Sequence, residues 1–115
     1  MSSTGSSTLP KTKKTERATY APRASRDIAA AVRWISQDNP DAARALRHAL
    51  DRAAEHIARH PEVGRLRPEV TAKAYRFLSM TGFPYILAYD PRPTPPIIAR
   101  ILHGARDLPE VLRDL

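Results

Sequence analysis

The chain has 115 residues, with 19 Lys and Arg against 12 Asp and Glu, a net charge of +7, 42% hydrophobic residues, 11 prolines, 4 glycines and no cysteine. That length supports one compact domain, and the missing cysteine excludes disulfide frameworks, Cys-ligated zinc and thiol catalysis. No apolar run approaches the roughly 20 residues of a membrane span, and scattered glycines leave no phosphate-cradling loop, so a soluble protein without a nucleotide cofactor is expected.

Residues 1–16 are rich in Ser, Thr and Lys and low in apolar side chains. Such a segment cannot offset the entropy of ordering, so a disordered tail is expected before a single domain over 17–115. The tail also lacks the apolar stretch of a secretory signal, which implies a cytoplasmic location. Arg17 to Ala21 reads as a short strand, and Pro22, with its fixed φ and missing N–H, suits the first turn of a helix. In that helix Ile28, Val32 and Ile35 recur at spacings of 4 and 3. Ala24, Ala31 and Trp34 lie beside them, while Arg26, Asp27 and Arg33 reach water. The helix ends near Asp38. Asn39-Pro40-Asp41 then supplies an N-cap, a proline at the first helical position and an acid where the helix dipole favours one. Ala43, Leu46, Leu50, Ala53 and Ile57 continue a second amphipathic helix to about His60, where Pro61 stops it. So short a connection predicts an antiparallel αα-hairpin.

Beyond a loop, PEVGRLRPE, the period changes to that of strands. Ala74 to Met80 places Tyr75, Phe77 and Ser79 on one face and Arg76, Leu78 and Met80 on the other, with one face buried. Thr81 to Pro84 is a turn, Tyr85 to Tyr89 a second strand, and a proline-rich loop over 90–96 closes it. Ile97 to Leu102 is apolar apart from Arg100 and is expected to be central and covered on both faces. Asp107 to Leu115, with Leu108, Val111, Leu112 and Leu115, reads as a short closing helix capped by Asp107. The fold class is therefore α+β: a short N-terminal strand, an antiparallel helical hairpin, then a mostly antiparallel sheet (β-α-α-β-β-β) with a short C-terminal helix.

Chemistry is sparsely signalled. His56 and His60 are four residues apart on one helix, but HIARH lacks the glutamate of HExxH and a third ligand, so no metal site is expected. Ser36 and Ser79 lie outside any nucleophile elbow. What remains is a cationic set in the β half: Arg65, Arg67, Lys73, Arg76, Arg100, His103 and Arg106, interleaved with Tyr75, Tyr85 and Tyr89. Arginine outnumbers lysine 15 to 4, and its planar fork suits phosphate and carboxylate. His, Tyr and Arg together supply the acid, base and cations of metal-free phosphodiester cleavage. Arg76 and Arg100 read equally as ion-pair partners of Asp27 or Asp90, and the tyrosines read better as core edges than as stacking platforms.

From residue 18 onward the chain resembles the RelE/ParE toxin superfamily of type II toxin–antitoxin modules, closest to the ParE branch. The similarity lies in the helix opening APRASRDIAAAVRWI, the hairpin DNPDAARALRHALDRAAEHIARHPEVGRLRPE, the strands AYRFLSM and YILAY, and the ending IARILHGARDLPEVL. HPEVGRLRPE and RILHGARD carry most of its specificity; the SMTGFP turn, the proline-rich loop and the tail depart from the pattern. The resemblance implies a plasmid-stabilising toxin without a cofactor. It implies neutralisation by a cognate antitoxin, typically a ribbon-helix-helix protein through which the complex contacts DNA. ParE-like members poison DNA gyrase, and the lack of any aromatic residue after Tyr89 favours that branch. RelE-like members instead cut mRNA on the ribosome, for which Arg65, Arg76, Arg100 and His103 are the nearest catalytic matches. Arg65, Arg67, Arg76, Arg100, His103 and Arg106 are the candidate groups for contacting target or phosphate.

Overall fold

The computed structural model of the protein describes residues 17–68 and 71–104. Seven elements follow in order: β1 (Thr19–Tyr20), α1 (Pro22–Asp38), α2 (Pro40–Arg59), β2 (Arg65–Leu66), β3 (Arg76–Ser79), β4 (Tyr85–Asp90) and β5 (Ile97–His103). The expected tail over 1–16, Arg106, and the closing helix with its Asp107 cap lie outside the described residues.

The hairpin forms as the sequence dictates. Asn39 alone joins the helices: its N–H donates to Ile35 O at 2.9 Å, and its side chain accepts from Ala42 N at 3.0 Å. One residue thus ends α1 and caps α2, and Pro40 at the first helical position lacks a donor that would be unsatisfied there anyway. Asp41 adds an acid to the first turn of α2, where the dipole favours it.

The sheet has the order β1-β5-β4-β3-β2, antiparallel except for β1 against β5. Three expectations change. The loop after α2 contains a two-residue strand, β2, pairing Arg65 with Phe77 and Leu66 with Arg76; so short an element has no periodicity to read. β4, not β5, is the central strand. β5 is flanked by β1 only at Ile97 and Ile98, because β1 is two residues long, and its remaining length forms an edge. Neither face of β3 is left wholly bare. Leu78 and Met80 join the main core, and Phe77 joins a second cluster.

The main core lies between the helices and one sheet face. Leu46, Leu50, Ala54 and Ile57 from α2 meet Leu87, Tyr89, Ile98 and Ile101 from the sheet, all almost fully buried. Each buried leucine or isoleucine contributes about 1.5–3 kcal/mol relative to leaving it in water. Phe77, Ala88 and Leu102 form the smaller cluster with Tyr75 and Ile86, on the alternate positions that a strand turns away from the helices. A register shift between Ala88 and Tyr89 pairs them with Arg100 and Ile98, skipping Ala99. This bulge resets the alternation, so Ile98 and Ile101, three residues apart, both reach the helix side.

Two predictions for α1 are corrected. Trp34, expected beside the apolar stripe, is 72% exposed. Asp27, expected in water, is half-buried and bonded to β5. Among the described residues no helix is long and apolar enough to cross a membrane.

Candidate functional site

The loop that follows α2 is fastened to the sheet by one phenol and one guanidinium. Tyr89 of β4 donates its hydroxyl hydrogen to Pro61 O at 2.6 Å and accepts from Gly64 N at 2.8 Å. Arg76 of β3 donates to Gly64 O at 2.7 Å and to Glu62 O at 3.3 Å. Burial pushes the Tyr89 hydroxyl above its ordinary pKa, which the Gly64 N–H and the nearby Arg76 charge partly oppose. Gly64 is required because the ring lies where a side chain would go: a Cβ there would meet Tyr89 Cε1 at 2.7 Å and its hydroxyl at 2.8 Å. The segment from Pro61 to Gly64 is therefore held in place by residues from two strands well downstream.

The second fastening closes the free edge of β5. Asp27 of α1 accepts from Arg100 Nε at 2.7 Å and Nη2 at 3.0 Å, and from Ile101 N at 3.0 Å. The carboxylate stands where a neighbouring strand would be once β1 has ended. Arg100 is only 9% exposed, so the bidentate pair is largely removed from water, where charge-assisted bonds are strong and loss of one partner is costly. Of the two acids weighed as partners, Asp27 holds Arg100; Asp90 bonds Arg92 instead, at 2.9 and 3.0 Å. Those bonds hold the Asp90 carboxyl below its usual range.

The remaining candidates do not converge on these groups. Arg65 is exposed on β2 and Arg67 is half-buried just beyond it. His103, half-buried at the end of β5, meets the Tyr85 ring edge-on with centroids 5.8 Å apart. Arg76 is level with Tyr89, whereas His103 is level with Tyr85. They are thus four residues, or about 13 Å, apart along β4, and on strands two places apart. The sheet brings Arg65 and Arg76 near one another at the β2–β3 edge, and Arg100 and His103 onto β5. It does not bring the two pairs together. His103 instead lines a groove with Asp27, Ala30, Ala31, Trp34, Tyr85 and Ile101. His56 and His60 stack edge-on, 5.3 Å between centroids, and among the described residues no three His, Asp or Glu side chains are grouped to hold a metal.

Sequence reasoning missed Gly64, and the exposure of Trp34. The first had no local signal, since only the fold brings Tyr89 to it. The second was readable: at about 100° per residue Trp34 falls well to one side of the Ile28, Val32 and Ile35 stripe.

Residues 18–108 match the family described as "ParE toxin of type II toxin-antitoxin system, parDE". The chain belongs to the ParE toxin family. Within the curated proteins, Toxin RelE3 of Caulobacter vibrioides is 37% identical over 84 residues, which is 72% of this chain and 88% of that toxin. A solved structure, "Chromosomal ParDE TA system from P. aeruginosa", has the same fold, with a TM-score of 0.64 at 15% identity over 78% of this chain and 99% of that chain. This ParE-family chain is thus a type II toxin of the RelE/ParE superfamily. Both fastenings lie within the matched span, so the residues that anchor the post-hairpin loop and the β5 edge belong to the ParE-like domain itself.

Proposed function

We propose that this ParE-family protein acts by binding DNA gyrase, without catalysing a reaction, and that a cognate antitoxin neutralises it by direct contact. One observation carries the choice of target. Arg76 and Arg100, the cations that a ribonuclease reading needs at the scissile phosphate, are engaged by loop carbonyls and by Asp27. Phosphodiester cleavage needs its acid, base and cations within hydrogen-bond reach of one phosphate, and His103 stands at the other end of β4 from Arg76. A binding toxin has no such requirement. The relatives named for toxins support an antitoxin partner. An antitoxin of the ribbon-helix-helix type would carry the DNA contact of the complex.

The test uses the full chain, purified from its antitoxin. Inhibition of gyrase supercoiling, with mRNA left intact by ribosomes, is the expected result, accompanied in cells by a DNA-damage response and arrested growth. Cuts in ribosome-bound mRNA with normal supercoiling would replace this reading by the ribonuclease one. Toxicity undiminished by the co-expressed neighbouring small protein would remove the antitoxin part.

A further inference from the structure

The solvent face of α1 carries two features that packing does not use. Trp34 is 72% exposed, although a buried indole is among the largest apolar contributions a side chain can make. Arg23, Arg26 and Arg33 are exposed too, and among the described residues the side chains of these three make no ion pair or hydrogen bond. At about 100° and 1.5 Å per residue, the four side chains fall within about a third of the helix circumference, opposite Ile28, Val32 and Ile35. Arg26 and Arg33 lie about 10 Å apart along it. Of the two acids on α1, Asp27 is engaged by Arg100 and the Ile101 amide and Asp38 is the last residue of the helix, one turn beyond Trp34; α1 has no acid in its first turn. The charge of the row is therefore unopposed on α1 until Asp38 at the helix end.

We propose that this face binds single-stranded nucleic acid, with Trp34 stacking on a base and Arg26 and Arg33 holding flanking phosphates. An exposed ring set in a cationic row is the arrangement that sequence-tolerant single-strand binders use. A duplex keeps its base faces stacked and offers the indole nothing comparable. A protein partner needs a contiguous apolar patch at the centre of its interface. The large exposed hydrophobics among the described residues are Trp34 and Leu66, and Leu66 lies on β2 at the opposite sheet edge from β1 and β5. Around Trp34, α1 offers Ala30, Arg33 and Gln37, and the groove on its other side is lined by Ala31, Tyr85, Ile101 and His103, where Ile101 is already buried in the core and no second large apolar side chain stands exposed beside the indole. The proposal is independent of the gyrase target and of the antitoxin.

Trp34 is the chain's 1 tryptophan, so its intrinsic fluorescence reports on this face directly. Oligothymidylate and oligouridylate, titrated separately into the full chain at low salt, are expected to quench it to saturation. Quenching by both, or by one alone, upholds the proposal, and the second result also names the preferred sugar. The logarithm of the binding constant should fall with log salt by about 0.7 per phosphate held, so Arg26→Gln with Arg33→Gln should flatten the slope by about 1.4. With a labelled oligonucleotide, Trp34→Ala should bind roughly tenfold more weakly and Trp34→Phe should recover most of the loss; circular dichroism checks that each exposed-site variant folds. An unchanged emission spectrum would overturn the proposal. So would equal affinity of Trp34→Ala, or equal quenching by polyaspartate or by a duplex, each of which reduces the face to a plain charged surface.

Discussion

Tyr89 shows how one side chain serves packing and loop anchoring together. Its ring is fully buried in the main core, and its hydroxyl holds both Pro61 and Gly64. Tyr20 is placed alike: it donates to Leu50 O at 3.2 Å, and burial, with the Asp51 charge beside it, pushes its pKa up to about 12. A phenol whose pKa is raised on folding adds stability below its unfolded value of about 10 and loses it as pH rises through the folded value. The stability of the protein, read as the urea midpoint, is thus expected to fall from pH about 10 upward. Tyr89→Phe removes one of the two phenols, costs about 1–3 kcal/mol at neutral pH through the carbonyl and amide left unpaired, and should show a shallower alkaline decline. An alkaline profile identical to that of the parent would refute the assignment. At Asp27 the charge logic is sharper. Asp27→Ala should cost about 3 kcal/mol by leaving Arg100 buried and unpaired, and adding Arg100→Met should restore much of it. If the double variant melts no higher than the single one, the pair is not what holds this edge.

At the scale of elements, Asn39 sets the geometry of the hairpin. With a single residue between α1 and α2, the side-chain bond to Ala42 N does what a longer loop would otherwise do through several backbone contacts. Asn39→Ala should lower stability by about 1 kcal/mol, seen as a shift of several degrees in Tm for a domain of this size; an unshifted Tm would show that packing alone fixes the turn. Both helices were legible because period and cap agree over long segments: Leu46, Leu50 and Ile57 are buried as their spacing requires. β4 was legible to within one residue. β2 was not, because two residues carry no period, and its pairing with β3 is decided by the loop that Tyr89 and Arg76 hold down. The place of β5 was misjudged for a related reason. Its apolar run signals burial on both faces but says nothing about its neighbours, and β1 is too short to cover it.

For the whole molecule, the separation of the cationic candidates has a functional consequence. If the protein works by binding gyrase, any loss of toxicity in His103→Ala should track weaker gyrase binding, since no proton transfer depends on the imidazole; Arg76→Ala should reduce toxicity only as far as it loosens the loop and lowers Tm. Loss of toxicity in a His103→Ala protein of unchanged Tm and unchanged gyrase binding would point back to catalysis. The sequence, by itself, determined the α+β class, the hairpin, the cap, most strand positions and membership of the superfamily, because these rest on local periodicity and on contiguous stretches such as HPEVGRLRPE. Tertiary structure alone decided which cations are available. Arg76 and Arg65 look alike in sequence, and so do Arg100 and Arg33, yet chain closure brings carbonyls to Arg76 and Asp27 to Arg100 across 73 residues while leaving Arg33 beside Trp34 in solvent. A charge acquires its role from what the fold places within hydrogen-bond reach, and that distance is not written along the chain.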